Sequence, residues 1–332
     1  MTRADVAAGI LWVGATLYAV FGGADFGGGL WDLIAGDAER GERPRARIQR
    51  SLTPVWEANH VWLIFILVVL WTAFSEAFGA IMSTLYVPLA LAALGIVLRG
   101  AGFAFRKSVQ RLRYRRAMGA AFALSSVLTP FFMGTVVGAV AAGNVPASGN
   151  GDAFSSWIAP LPLLTGALFV ATGAYLAAVF LVADSHRAGD GEMEGYFAGR
   201  ALGAGLVAGV LAVAGIVALH ADARYAYDRL VVEGLPLVIV SVLCGFGVLA
   251  LLLQRGRRGL RPLAIGAVVA VIWGWGVAQF PYLLPTSLKI SQSAAPSETL
   301  AMVIAVFIAA AVLVLPALGL LYWLSQRELL GE

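Results

Sequence analysis

The chain has 332 residues, 60% hydrophobic and 13% charged, with a net charge of +4 and a mean hydropathy of +0.84. Soluble domains carry about 25% charged residues, so this composition excludes a surface covered by water and makes lipid the solvent. The only cysteine, Cys244, excludes an internal disulfide, an iron–sulfur cluster and a cysteine-based zinc site.

A membrane-spanning helix needs about 20 mostly apolar residues. Runs of that kind lie at 6–34, 54–74, 79–98, 117–142, 157–183, 201–219, 235–253, 263–282 and 300–324. They predict an all-α integral membrane protein: one transmembrane domain over 1–332, with about nine helices in two four-helix bundles plus one peripheral helix. The first run continues past residue 30 without an A-x-A-like site, so no cleavable leader is expected. It carries Asp25 within Gly22-Gly23-Ala24-Asp25-Phe26-Gly27-Gly28-Gly29. The second opens with Thr53 as a hydroxyl N-cap and Pro54 in the first turn. Pro88, Pro130 and Pro316 fall within runs and are expected to kink them. The sixth carries Gly199, Gly203, Gly205 and Gly209, a spacing that admits a neighbouring helix. Glu76, Arg99, Glu233 and Gln279 lie near run ends and read as interfacial. The loops 143–156 and 283–299 are Gly/Ser/Pro-rich and need no fold of their own.

Orientation follows from the basic residues between the runs. Nineteen Lys and Arg lie in 35–53, 99–116, 184–200, 254–262 and the segment after 324, against four in the opposite set, Arg3, Arg224, Arg229 and Lys289. This places the first set in the cytoplasm, with the N-terminus outside and the C-terminus inside. Each basic cluster abuts a span, which argues for a topology signal that also meets anionic headgroups, and against a nucleic-acid partner.

Ionisable groups at membrane depth are costly and point to function. Asp25 lies about nine residues before the cytoplasmic end of its run, about 14 Å deep. Its glycines leave room for water or a neighbouring backbone, and they lack the Lys-Ser/Thr ending of a phosphate loop. Glu57 lies about 5 Å along the second helix, with His60 three residues on and on the same face. One reading of Glu57 is purely structural: a carboxylate complementing the positive end of that helix, with His60 as its neighbour. A shallow Glu57 and a deeper Asp25 together read as a two-step proton relay. Haem requires inward-facing axial ligands, and the three histidines, His60, His186 and His220, fall at different depths. His60 reads as a hydrogen-bonding partner, and no metal site is expected.

Three segments resemble subunit II of the cytochrome bd quinol oxidases. They are Gly23-Ala24-Asp25-Phe26-Gly27-Gly28-Gly29, Pro54-Val55-Trp56-Glu57-Ala58-Asn59-His60-Val61-Trp62-Leu63 and Leu98-Arg99-Gly100-Ala101-Gly102-Phe103-Ala104-Phe105-Arg106. The resemblance implies a complex that oxidises quinol and reduces dioxygen to water in the bacterial cytoplasmic (inner) membrane. It generates proton-motive force without pumping. Haems b and d belong to subunit I, the expected partner, and this chain holds no cofactor alone. Small accessory subunits fit the same picture. Some relatives bind a quinone in subunit II as a structural lipid, and no residue here places one. Onto this sequence the resemblance puts a cytoplasmic proton path at Asp25 and Glu57, supported by Trp56, Asn59 and His60, and an oxygen entrance near Trp62. Some relatives have Asp for Glu57 and Gln for His60; the carboxylate is kept, whereas His60 is left without an assigned role.

Two other readings compete: a proton-coupled secondary transporter using Asp25 and Glu57 around a substrate cavity, and an assembly protein. Transporters commonly carry inverted repeats with matched broken helices, and the glycine-rich first run has no counterpart in the second half. Asp25→Asn and Glu57→Gln are expected to slow turnover while sparing haem content and assembly.

Overall fold

The computed structural model describes residues 2–37, 39–52, 56–106 and 112–326. The chain begins with a 31-residue helical rod, Arg3–Leu33, made of α1 (Arg3–Leu17), a π-helical turn (Tyr18–Gly22) and α2 (Gly23–Leu33). A capping box starts it: Thr2 Oγ1 accepts the Asp5 N–H at 3.2 Å, and Asp5 Oδ2 accepts the Thr2 N–H at 2.7 Å. The π turn inserts extra backbone just ahead of Asp25, a placement frequent at functional sites.

Next come α3 (Glu42–Leu52), α4 (Trp56–Ala73), α5 (Ser75–Thr84), α6 (Tyr86–Arg106), α7 (Leu112–Ala141), α8 (Pro160–Arg187), α9 (Gly191–Asp222) and α10 (Arg224–Val232). The chain finishes with α11 (Leu235–Leu253), α12 (Leu260–Gln279), the hairpin β1 (Tyr282–Leu284) and β2 (Leu288–Lys289), α13 (Ile290–Ser293) and α14 (Ser297–Gln326). Among the described residues seven helices are long and apolar enough to cross a membrane, or eight if one sharply bent pair counts as a span. The molecule is an all-α, multi-pass membrane protein.

Lipid-facing surfaces explain the composition. On α9, Leu206, Val210, Val213 and Val217 stand exposed, as do Met302, Val306, Val312 and Leu313 on α14. Apolar patches of that extent belong in a membrane. Three apolar clusters lie inside among the described residues, two of them large. One joins Val20, Ala24 and Trp31 to Leu176–Val182 of α8, Phe197 of α9 and Leu260 of α12. The other joins Ala7 and Leu11 to Phe74, Ala77, Leu85, Trp157 and the hairpin leucines Leu284 and Leu288.

The structure departs from the apolar runs in four places. The third run, 79–98, covers the end of α5 and much of α6, which starts only at Tyr86; α5 itself meets α4 at 118°, because Phe74 (φ −141°, ψ 56°) leaves the helical region. Pro88 therefore sits in the first turn of α6, where proline suits a helix and does not kink it. The loop 283–299 is structured, since its leucines complete the second cluster. The glycines of α9 admit no close neighbour at Gly199, Gly203 or Gly209; close helix approach occurs instead at Gly27 against Gly173 and at Gly134 against Gly166.

Candidate functional site

Asp25 is 2% exposed, and so is Arg99. Arg99 Nη2 lies 2.8 Å from Asp25 Oδ1 and donates a second hydrogen bond, 3.1 Å, to the Asp25 carbonyl. Its Nη1 donates to the Ser126 hydroxyl of α7, which in turn donates to the Phe122 carbonyl at 2.7 Å. The guanidinium carbon also lies 4.9 Å from the Phe26 ring centre and 4.4 Å from that of Phe122, within range for cation–π attraction. One ion pair thus ties α2, α6 and α7 together. Asp25 Oδ2 and Arg99 Nε are buried without a hydrogen-bond partner among the described residues.

The glycine run makes this geometry fit. At Gly29 an added Cβ would overlap Ser126 and come within 2.9 Å of Arg99 Nη1. At Gly27 it would overlap the Gly173 carbonyl and come within 2.7 Å of Ala174 N, so glycine lets α2 lie directly on α8. Neighbouring backbone and side chains fill the space that the sequence left to water or backbone.

Arg99 is therefore no interfacial residue. Gln279 is also buried, 3% exposed, and its Nε2 donates to the Leu283 carbonyl at 2.7 Å. Arg99 was missed because the apolar run was ended at its charge, whereas α6 continues to Arg106. A signal was present: Asp25 lies eight residues before the end of α2 and Arg99 seven before the end of α6, so opposite charges share one depth.

The second predicted site opens α4. Thr53, Pro54 and Val55 lie outside the described residues, as do the side chains of Trp56 and Glu57, although both residues belong to the first turn of α4. Asn59 is buried at 2% exposure. The His60 ring meets the Phe26 ring edge-on, with centres 6.3 Å apart, so the turn after Glu57 abuts the residue that follows Asp25. Trp62 is half-buried and packs edge-on against Phe65 at 6.4 Å, while Phe65 meets Phe307 of α14 at 5.6 Å.

The other histidines are engaged separately. His186 Nδ1 is 2.9 Å from Glu194 Oε2, and His220 Nε2 is 2.6 Å from an Arg224 nitrogen. Among the described residues no three His, Cys, Asp or Glu side chains are placed to hold a metal ion. A cleft of about 510 Å³ is lined by Asn144, Asp152, Ser155 and Asp222. There Asp152 Oδ1 accepts the Ser155 and Phe154 N–H groups at 2.7 and 2.9 Å, which hold its carboxyl below the usual range. That carboxylate closes its own loop. A smaller cleft of about 200 Å³ lies among Arg43, Arg47, Arg50 and Asp190. Neither is lined by Asp25.

These features define a multi-pass α-helical membrane protein built around a buried carboxylate–guanidinium pair, without a metal-ligand cluster of its own among the described residues. The family described as cytochrome bd terminal oxidase subunit II matches residues 4–325, and the chain belongs to that family. It is similar to cytochrome bd ubiquinol oxidase subunit 2 of Bacillus subtilis, 28% identical over 114 residues. It is equally similar to cytochrome bd-I ubiquinol oxidase subunit 2 of Escherichia coli K12, 28% identical over 130 residues. Those alignments cover 34% and 39% of this chain and 33% of each relative. The structure of bd oxidase from Geobacillus thermodenitrificans contains a chain that superposes with a TM-score of 0.82 at 25% identity, covering 97% of this chain and 98% of that one.

Proposed function

We propose that this chain is the haem-free subunit of a quinol:dioxygen oxidoreductase, packed against a haem-bearing subunit I. The observation that carries this reading is the full-length likeness to a bd oxidase chain, 97% against 98% coverage. Haems b and d of the partner supply the oxidation–reduction chemistry. The three histidines here, turned to Phe26, Glu194 and Arg224, do not form an axial pair.

This chain's own contribution is structural support and proton delivery from the arginine-rich face, through Glu57 and then Asp25. Asn59 and His60 support the first station, together with Trp56, and an oxygen entrance lies near Trp62. The contact of His60 with Phe26 at 6.3 Å supports the order of the two carboxylates. Nine crossings within one domain follow if the bent pair counts once and the short apolar helix Tyr86–Gly102 also spans. The odd count then puts the N-terminus outside and the C-terminus in the cytoplasm, as the basic loops require.

Purification tests the assignment. A haem-containing partner is expected to accompany the chain and give reduced-minus-oxidised bands of haems b and d; a colourless single-chain particle would refute it. Glu57→Gln tests the path. Oxidase turnover per haem is expected to fall about a hundredfold or more, the low end of a positioned proton carrier's contribution, with haem content unchanged. Turnover at the parent rate would remove Glu57 from the path.

A further inference from the structure

We infer that Arg99 is a positioning residue that keeps Asp25 ionised and leaves Oδ2 as the edge on which a travelling proton lands. This inference rests on the reading of Asp25 as a station on the proton path. A carboxylate buried to 2% exposure would take up a proton and stay neutral if it stood alone. It would then block a path that needs an acceptor. The guanidinium 2.8 Å from Oδ1 favours the charged form.

The geometry divides the two oxygens. Oδ1 is taken by Arg99 Nη2, whereas Oδ2 is buried and has no partner among the described residues. Arg99 is itself held on three sides, by Ser126 through Nη1, by the Asp25 carbonyl and by the faces of Phe26 and Phe122. It therefore cannot swing to cover Oδ2. A proton reaching Oδ2 makes an O–H bond and takes the pair from net zero to net +1. Its departure breaks that bond and restores the pair. Because the protonated state places an unbalanced cation in a buried site, the proton's stay is brief.

The π turn brings Tyr18, with its hydroxyl turned to Met133 Sδ at 3.7 Å. Helix α4 contributes His60 beside Phe26 and carries Glu57 one turn earlier. Helix α7 presents Ser126, and α8 presents backbone at Gly173 and Ala174. Among the described residues Arg99 is the cation in direct contact with the carboxylate.

The experiment uses the purified complex of both subunits, with Arg99→Gln, Arg99→Lys, Asp25→Asn and the double variant Arg99→Gln/Asp25→Asn. Turnover per haem is measured against pH, and infrared spectra record the band of a protonated carboxyl group. In Arg99→Gln such a band is expected near neutral pH and vanishes in the double variant; in the parent no band responds to Asp25→Asn. Turnover of Arg99→Gln relative to the parent should be lowest at acid pH and climb as pH rises, a trend the double variant lacks. An Arg99→Gln complex with no protonated Asp25 band and a pH-independent loss would overturn the inference, leaving Arg99 a packing residue. If Arg99→Gln does not assemble, Arg99→Lys decides. Absence of the band there supports charge setting; its presence together with parent-like turnover overturns it. The underlying path reading fails separately, if Asp25→Asn and the double variant both turn over at the parent rate.

Discussion

Gly29 shows how a residue without a side chain can determine a charged site. Any Cβ there collides with Ser126 and Arg99, both held in a buried hydrogen-bonded arrangement that cannot yield cheaply. Overpacking of this kind costs about 1–3 kcal/mol. Gly29→Ala should therefore lower the thermal midpoint of the purified complex. Gly23→Ala should not, since its added Cβ would meet its nearest neighbour, Gly173 Cα, at 3.9 Å. Equal midpoints for the two would contradict this account. The ion pair also changes what Asp25→Asn is expected to do. Removing one member of a buried pair costs about 3–5 kcal/mol, because the other charge is left uncompensated, while removing both costs less. The sequence expectation that Asp25→Asn spares assembly took no account of Arg99. The double variant with Arg99→Gln should accordingly yield more assembled complex than Asp25→Asn alone, as measured by haem recovered per unit of membrane protein. Asp25 and its glycines were visible in the sequence because acid inside an apolar run stands out. Arg99 was not, because a hydropathy boundary is drawn at the first charge, and a buried pair defeats that rule.

At the scale of elements, the bend between α4 and α5 needs an explanation for its backbone. Breaking a helix inside the membrane exposes carbonyl and amide groups that lipid cannot satisfy. A segment more than two hundred residues away supplies both partners: Ser293 Oγ accepts the Ala77 N–H at 3.1 Å, and the Ala295 N–H donates to the Ala73 carbonyl at 2.9 Å. The hairpin β1–β2 and α13 deliver these groups, and Leu284 and Leu288 anchor the hairpin beside Phe74. Ser293→Ala would leave a buried amide unsatisfied, which costs about 1–3 kcal/mol. The expected result is a lower thermal midpoint than for Ser291→Ala, whose side chain is exposed. Identical midpoints would mean that the bend does not depend on this bond. Eight of the nine apolar runs have clear helical counterparts, all but 79–98, and 235–253 matches α11 to the residue, because uninterrupted apolar runs report directly on lipid burial. The bend and the hairpin were illegible since both depend on contacts between distant segments, which no local periodicity records.

For the whole molecule, the transporter alternative requires a cavity at Asp25. Instead, Arg99, Ser126 and two phenylalanine rings enclose that carboxylate on the sides described. Orientation is the remaining global property, and its physical basis is the cost of carrying clustered arginines across the bilayer. The arginine-rich connections also bind one another's helices: Arg43 reaches Asp190 at 3.2 Å, and Arg261 reaches Asp184 at 2.6 Å. The end of α8 and the starts of α3, α9 and α12 therefore share one face. The opposite face carries the 143–156 loop and the hairpin. A cysteine-accessibility experiment decides which face is which. After Cys244→Ala removes the only native thiol, Ser148→Cys and Arg258→Cys each place one thiol at an exposed position on opposite faces. A membrane-impermeant maleimide added to intact spheroplasts should label Ser148→Cys at once. It should reach Arg258→Cys only after the membrane is opened. The reverse pattern would invert the topology and would count against the proposed cytosolic path, because Glu57 belongs to the first turn of α4, on the arginine-rich side.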